Sequence, residues 1–185
     1  NTKRYVRTFW GLDRALAYER HFPAINWLTS YSEYAADLKP WYDEHVGKNF
    51  VPCRQRLSAL LQEEAQLMEI VKLIGADILP EDQKLIIETA RVIRVGFLQQ
   101  NAYNDIDTYV PLAKQLRMME LILRLYDGAR GLIDRSIPLS QLKQTGIFDT
   151  LNKMKYEVPN DQLDKFDAYQ KAIDDAVAQV DGANK

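Results

Sequence analysis

The sequence predicts a mainly α-helical protein: a bundle of three to four long antiparallel helices with additional short helices and one short strand near the N-terminus. Three stretches of about 20 residues carry apolar side chains at helical spacing, with polar side chains between them. The loops that join these stretches are short, which makes consecutive helices antiparallel neighbours. Helical periodicity and loop length together therefore indicate the fold class.

The chain begins with a short run typical of a β-strand, Tyr5–Trp10. A strand needs a partner, and no second convincing strand is visible nearby in the sequence. The run therefore predicts pairing with a sheet outside the chain. Because the first residue is Asn1 and not methionine, we also expect the chain to be a piece of a longer protein.

Short elements are predicted between this strand and the long helices. Asp13 lies near the start of a first short helix, and Pro23 prevents that helix from continuing. Thr29 or Ser30 can cap a second short helix, which Pro40 ends. The predicted elements are a helix over 12–20, an extended linker over 21–27 and a helix over 31–38.

The long helices have recognisable boundaries. Gly75 suits a helix C-terminus, since glycine takes the left-handed conformation that closes a last turn. Pro80 suits the first position of the next helix, where its missing N–H is not needed. A last helix is predicted after Asn160, its expected N-cap, and residues 136–159 should hold only short helices. The predicted long helices cover 52–74, 80–100 and about 20 residues from 111.

Composition excludes several classes of function. The net charge of −2 offers no concentrated basic face for nucleic acid. No apolar run approaches the roughly 20 residues that a membrane-crossing helix needs. Cys53 is the only cysteine, so an internal disulfide is impossible, which fits a reducing cytoplasmic setting.

The sequence contains no recognisable catalytic motif. The only Gly-Lys pair, Gly47-Lys48, is followed by Asn49 and lacks the upstream glycine of a phosphate-binding Walker A loop. The two histidines, His21 and His45, lie outside the long helices and form no Glu-x-x-His pair of a di-iron bundle. The sequence therefore predicts no catalytic residue and no metal ligand.

Two motifs in a fixed order indicate a family. An acidic turn, Gly75-Ala76-Asp77-Ile78-Leu79, joins two helices, and the second helix leaves through Phe97-Leu98-Gln99-Gln100-Asn101-Ala102-Tyr103. Upstream lies Arg20-His21-Phe22-Pro23-Ala24-Ile25-Asn26-Trp27. Together they resemble the C-terminal region of the catalytic A subunit of V-type (vacuolar/archaeal-type) rotary ATPases and ATP synthases. The resemblance covers nearly the whole chain and weakens after about Ser136.

The resemblance implies that this chain is one part of a larger catalytic subunit. Residues 1–26 would be a connector from a nucleotide-binding domain, which supplies the sheet for the N-terminal strand, and residues 27–185 the helical bundle domain. ATP or ADP with Mg would be the cofactor, with the phosphates and the metal bound by the upstream domain. The whole subunit would hydrolyse or make ATP, whereas this chain alone would be inactive.

The same resemblance implies partners and a location. The catalytic A subunit would alternate with the noncatalytic B subunit in a hexameric ring and would couple ATP chemistry to rotation of the central stalk, and thus to proton or sodium transport. It would be cytoplasmic, peripheral to the membrane, and in contact with the membrane only through the complex. No nucleic acid is expected.

Five residues are implied as nucleotide contacts. Tyr103 and Tyr109 have the spacing of two aromatics that flank adenine in the related F-type subunit; alternatively, both pack inside their loop. Gln99 and Gln100 either order the loop or bond the nucleotide, and Phe97 lies on the apolar helix face. Stacking is worth about 1–3 kcal/mol per base, and even a millimolar dissociation constant needs about 4 kcal/mol. The chain alone should therefore bind ATP negligibly.

The tip of the helical hairpin is implied as the contact with the rotating central stalk. Ile78 stands where the F-type turn has a glutamate, so this turn carries fewer acidic side chains than the F-type turn. The alternative is a solvated turn without a partner. The implied contact residues are Asp77, Ile78, Leu79, Pro80, Glu81 and Asp82.

The sequence is also compatible with two other functions. One is a free-standing helical module that binds proteins through its acidic turn. The other is the noncatalytic B subunit of the same complex, which shares the architecture. The segment Gln99-Gln100-Asn101-Ala102 favours the A subunit over the B subunit.

Overall fold

A computed structural model describes residues 5–75 and 78–184 of the chain. These residues are mainly helical, which confirms the predicted fold class. The elements, in order, are β1 (Thr8–Leu12), α1 (Arg14–Tyr18), β2 (Ile25–Ser32), α2 (Tyr34–Asp37), α3 (Lys39–His45), α4 (Phe50–Ile74), α5 (Glu81–Val92) followed by a π-helical segment (Ile93–Leu98), α6 (Leu112–Asp134), α7 (Leu139–Gln144), α8 (Ile147–Glu157), a 3₁₀ turn (Leu163–Lys165) and α9 (Phe166–Gly182).

The N-terminal strand finds its partner within the chain, so the expectation of a missing partner is wrong. β1 pairs antiparallel with β2, with Thr8 opposite Ser32 and Leu12 opposite Ile25. The predicted helix start at Thr29 or Ser30 is also wrong, because both residues lie in β2. The pairing register shifts in the middle of the hairpin, where the Ser30 hydroxyl accepts a hydrogen bond from the Gly11 N–H at 3.0 Å. The Ser30 side chain, which the sequence suggested as a helix cap, thus bonds the opposite strand of the sheet.

The first short helix begins where the sequence predicts it. The Asp13 carboxylate accepts hydrogen bonds from the backbone N–H groups of Ala15 and Leu16 and from the side-chain amide of Asn26. These bonds, with the one from Asn26 foremost, lower the pKa of Asp13. Pro40, predicted to end a helix, instead lies in the first turn of α3, where a missing N–H is tolerated.

The hairpin of α4 and α5 has the predicted boundaries to within two residues. Gly75 follows α4 with φ of 86° but ψ of 158°, so its backbone is not left-handed helical as expected, although the positive φ still favours glycine. Pro80 is the N-cap of α5 and not its first residue. Arg94 and Glu64 join the two antiparallel helices at 2.5 Å.

The second long helix changes character before it ends. Its last six residues, Ile93–Leu98, form a π-helical segment in which the Gln99 N–H donates to the Arg94 carbonyl at 2.8 Å. A Cβ on Gly96 would lie 3.3 Å from the Asn152 Cα, so α8 packs directly against this segment. Such bulges are frequent at functional sites, and this one leads directly into the loop that carries the two predicted tyrosines.

α6 is the centre of the bundle. The spacing in the sequence predicts one apolar face on this helix, formed by Leu116, Met119, Ile122, Tyr126, Ala129 and Ile133. Four of these residues are buried, and Tyr126 and Ile133 are partly buried against the core. α9 packs on α6 in a parallel orientation, because two ion pairs run in the same order along both helices: Arg117 with Asp167 and Arg124 with Asp174. α7 and α8 lie between these two helices in the sequence, and α8 packs on both of them.

The start of the last helix differs from the prediction. α9 begins at Phe166, after a 3₁₀ turn, and the predicted cap Asn160 precedes both elements. The Asn160 side chain instead bonds Lys114 of α6 and the backbone of the loop over residues 99–111, which we call the tyrosine loop. None of the described helices is apolar over a long enough stretch to cross a bilayer.

Candidate functional site

The loop that follows the π-helical segment, residues 99–111, exposes both predicted tyrosines. Tyr103 is 99 % exposed and Tyr109 is 77 % exposed, so neither ring packs inside the loop. Local turns hold the backbone around them: the Asn101 side chain accepts from the Tyr103 N–H, and the Asn104 side chain accepts from the Ile106 N–H, each at 3.0 Å. Asparagine favours such turns because its short side chain bonds the backbone two residues on.

Tyr103 lies at an open cleft of about 620 Å³. Phe22 lines the same cleft and is half exposed. The Gln100 N–H donates to the Phe22 carbonyl at 2.6 Å. This bond fixes the segment between α1 and β2, which is part of the predicted connector over residues 1–26, beside the loop. The described residues that line this cleft are Arg20, Phe22, Pro23, Gln99, Gln100, Asn101, Ala102, Tyr103, Asp107, Thr108 and Tyr156.

The other predicted nucleotide contacts are distributed differently. Gln99 lines the cleft, but its side-chain amide donates to the Arg20 carbonyl at 3.4 Å. Tyr109 does not appear among the described residues of the cleft. Phe97 is partly buried against the core and lines a separate apolar cavity with Trp10 and other residues. The structure thus brings Tyr103, Gln99 and Gln100 together at the cleft, and neither Tyr109 nor Phe97 is among its described lining residues. Phe97 meets only Gln100 of these three, at a smaller separate cavity.

A buried ion pair lies beneath the loop. Lys155 on α8 and Asp107 in the loop approach to 3.7 Å, and their side chains are 1 % and 2 % exposed. The Lys155 ammonium also donates to the Gln99 carbonyl, and the Asp107 carboxylate accepts from the Asn101 N–H at 2.6 Å. Burial lowers the pKa of Lys155, and the nearby charge of the Asp107 carboxylate opposes that shift.

A second buried lysine supports the same loop from α6. Lys114 donates to the carbonyls of Lys155 and Val158 and to the side-chain oxygen of Asn160, at 2.9, 2.6 and 3.0 Å. An ammonium group has three donors, and here all three are used. The Asn160 amide in turn donates to the carbonyls of Ile106 and Tyr109, at 3.0 and 2.8 Å.

Sequence reasoning missed both lysines and Asp107. Burial lowers the pKa of Lys114 and raises the pKa of Tyr156, as expected for groups removed from water. A lysine on a helix ordinarily indicates a solvated face, and nothing in the local sequence marks these two as buried. Phe22 belongs to the motif over residues 20–27, but its place in the cleft follows only from the fold.

The hairpin tip is only partly available for contact with a partner. Asp77 lies outside the described residues. Ile78, Pro80 and Asp82 are exposed, whereas Leu79 is buried in the bundle.

Glu81, also at the tip, is held within the fold. Its carboxylate accepts from the Leu139 N–H at 2.8 Å, at the start of α7, and pairs with Lys84 at 3.1 Å. These interactions lower the pKa of Glu81, the bond from the backbone of Leu139 contributing most.

Within the described ranges, no group of three or more His, Cys, Asp or Glu side chains is arranged to hold a metal ion. His21 is buried and packs on Trp27 with ring centroids 5.6 Å apart. Burial, aided by the charges of Lys155 and Arg94, lowers the pKa of His21. It therefore acts as a packed, neutral ring between the connector and the bundle.

Comparison with known proteins agrees with the motifs. Residues 39–143 match the family described as the C-terminal domain of V and A type ATP synthase. The chain therefore belongs to this family of helical C-terminal domains.

Several relatives are similar over almost the whole chain. The chain is 50 % identical to V-type ATP synthase alpha chain 2 of Clostridium tetani, over 94 % of this chain and 29 % of that protein. It is 51 % identical to the V-type ATP synthase alpha chain of Halothermothrix orenii, over 90 % of this chain and 28 % of that protein.

An archaeal relative shows the same relation. The chain is 43 % identical to the A subunit of the A-type ATP synthase of Methanopyrus kandleri, over 97 % of this chain and 30 % of that protein. The predicted family is thus confirmed, and these relatives are alpha chains or A subunits. The chain spans less than a third of the length of each.

Proposed function

We propose that this chain is the C-terminal domain of a catalytic A subunit that couples ATP hydrolysis or synthesis to rotation of a central stalk, and thereby to proton or sodium transport. Residues 1–26 serve as the connector to a nucleotide-binding domain and residues 27–185 as the helical domain. β2 (Ile25–Ser32) crosses this boundary, so connector and bundle share one hairpin. The support is the family match together with the geometry of the tyrosine loop.

The adenine ring of ATP or ADP is received by the cleft beside the loop. One observation carries this proposal: Tyr103 presents a completely exposed ring at a cleft that is also lined by Phe22. Two aromatic side chains on one cleft suit a flat, weakly polar purine. Gln100 is exposed at the same cleft and can bond the purine edge, whereas Gln99 holds the connector and orders the loop.

Tyr109 and Phe97 have subsidiary parts in this proposal. Tyr109 is exposed at the far end of the loop and acts as an outer contact of the nucleotide. Phe97 supports the start of the loop from the core. The chain has no Walker A loop, so the phosphates and Mg are held by the upstream domain. This chain supplies only the surface that binds the base.

The hairpin tip transmits rotation. Ile78, Pro80 and Asp82, with Asp77, contact the central stalk, while Leu79 and Glu81 hold the turn rigid from within. In the hexameric ring, this catalytic protein alternates with the noncatalytic B subunit. The ring lies on the cytoplasmic side, peripheral to the membrane and connected to it only through the complex.

Replacing Tyr103 in the assembled complex tests the proposed seat for adenine. Tyr103→Ala should raise the KM for ATP about 5- to 150-fold with little change in kcat, because about 1–3 kcal/mol of stacking is lost. Tyr103→Phe, which keeps the ring, should retain the original KM. Tyr18→Ala is the matched control, since Tyr18 is an exposed tyrosine on α1 outside the cleft.

An unchanged KM in Tyr103→Ala, equal to that of the control, would remove the adenine contact from the proposal. A second measurement uses this chain alone. Calorimetry should detect no ATP binding, because stacking without phosphate contacts does not reach even millimolar affinity. Micromolar binding would show a phosphate site that the sequence does not predict.

A further inference from the structure

The buried Lys155–Asp107 pair connects the two ends of the tyrosine loop. Lys155 donates to the carbonyl of Gln99, where the chain leaves the π-helical segment. Asp107, its partner at 3.7 Å, lies near the other end of the loop and accepts from the Asn101 N–H. The ion pair therefore joins three positions of the loop backbone: Gln99, Asn101 and Asp107.

The pair is costly for the fold by itself. Removing two charges from water carries a penalty of several kcal/mol per ion, and apolar side chains of similar volume often stabilise a protein at least as well. A buried pair is most useful where it selects one backbone arrangement, because its directed hydrogen bonds are satisfied in that arrangement only. Here the partners of both charges are backbone groups of the loop.

Packing against the described parts of the chain does not hold the Tyr103 side chain. Its ring is 99 % exposed, so side-chain packing does not determine where it points. Its direction follows from the loop backbone, through the turn in which the Asn101 side chain accepts from the Tyr103 N–H. The backbone of Asn101 is in turn held by Asp107.

We propose that Lys155 and Asp107 are positioning residues for nucleotide binding: the buried pair fixes the loop so that the exposed Tyr103 ring is presented to the base. This inference rests on the proposed role of the cleft. The pair touches no nucleotide. It acts through the loop backbone, and its loss should affect nucleotide affinity more than turnover.

The test uses the assembled complex with the full-length catalytic protein. Asp107→Asn removes the charge and keeps the shape, and Lys155→Met removes the ammonium and keeps the length. Each should raise hydrogen exchange of the loop amides, residues 101–108, about tenfold, while the amides of α6 keep their protection. Each should also raise the KM for ATP about five- to tenfold at nearly constant kcat.

Asp174→Asn is the matched control, because Asp174 forms an exposed ion pair with Arg124 at 2.7 Å, between α6 and α9. It should leave loop exchange and KM unchanged. If Lys155→Met does not assemble, Asp107→Asn carries the test, since it alters neither volume nor the α8 helix.

The outcomes separate the two proposals. Unchanged loop exchange in Asp107→Asn, or a uniform rise in exchange over loop and α6 alike, overturns the positioning role. A selective rise in loop exchange with no change of KM, when Tyr103→Ala also leaves KM unchanged, overturns the adenine seat and with it the functional role of the pair. A selective rise in exchange together with a higher KM supports both.

Discussion

Lys114 offers a sharp test of how the loop and α8 are held, because it is a fully buried cation with three partners. It lies on α6 and is 0 % exposed. Its ammonium bonds the carbonyls of Lys155 and Val158, which belong to the C-terminal end of α8, and the side chain of Asn160. A cation at a helix C-terminus satisfies carbonyls that have no partner within the helix and opposes their partial negative charge. Lys114→Met removes the charge and keeps the length of the side chain.

Two effects of this substitution oppose each other. Burial lowers the pKa of Lys114, so the fold carries a desolvation penalty that methionine relieves. The substitution also leaves three acceptors without a donor, at about 1 kcal/mol or more for each. It further leaves the buried Asp107, whose charge raises the pKa of Lys114, with less compensation. Breaking such a buried set typically costs about 3–5 kcal/mol. We therefore expect a net loss of about 2–4 kcal/mol of unfolding free energy.

Urea denaturation followed by circular dichroism measures this loss. Lys171→Met on α9 is the matched control, since Lys171 is exposed, and it should change the unfolding free energy by less than about 0.5 kcal/mol. In a thermal scan, Lys114→Met should unfold about 5–10 °C lower than the control. If Lys114→Met is as stable as Lys171→Met, or more stable, the desolvation penalty outweighs the hydrogen bonds and the reasoning about this network is wrong.

Three further predictions concern the core and the hairpin. Leu151→Ala should lower the unfolding free energy by about 3 kcal/mol, because Leu151 is 0 % exposed. Leu73→Ala, at a position that is 84 % exposed, should cost under about 0.5 kcal/mol. Equal losses in urea denaturation would contradict the placement of Leu151 in the core. Glu81→Ala should destabilise the chain by about 0.5–1 kcal/mol near pH 7, unlike Asp82→Ala, since the Glu81 carboxylate bonds the start of α7. The folded pKa of Glu81 is lowered, so this difference should be present above about pH 4.3 and should disappear as the pH falls through the folded pKa; a difference that does not change between pH 7 and pH 3 would refute the assignment. Gly75→Ala should cost about 1–2 kcal/mol in the same assay, because φ is +86° there, and a stabilised variant would exclude that backbone conformation.

Local signals predicted those parts of the fold that local chemistry decides. Asp13 lies at the start of α1 as expected, and it caps this helix because its carboxylate needs only the N–H groups two and three residues ahead. Gly75 ends α4 near its predicted place, since its conformational freedom belongs to the residue itself. The same local reasoning was wrong for Ser30 and Asn160, because the side chain of each bonds a group far away in the chain, the Gly11 N–H for Ser30 and the Lys114 ammonium for Asn160.

The candidate site divides in the same way. Tyr103 was predicted through the motif around it, and its exposure agrees with a surface role. Phe22 shares its cleft although the two residues are far apart in the chain, and only the packing of the connector beside the loop brings them together. Lys155 and Asp107 carry no signal in the sequence, because a charged residue on a helix or in a loop is ordinarily solvated.

Periodicity, caps and the two motifs are properties of short stretches of chain, so they were sufficient to predict the helical class, the boundaries of α4 and α6, and the family. Tertiary structure decided the pairing of β1 with β2, the parallel packing of α9 on α6, and the buried pair under the tyrosine loop. These depend on groups that meet only after the chain has folded. Whether a lysine is solvated or buried against a carboxylate is set by the surrounding elements, and no local pattern records it.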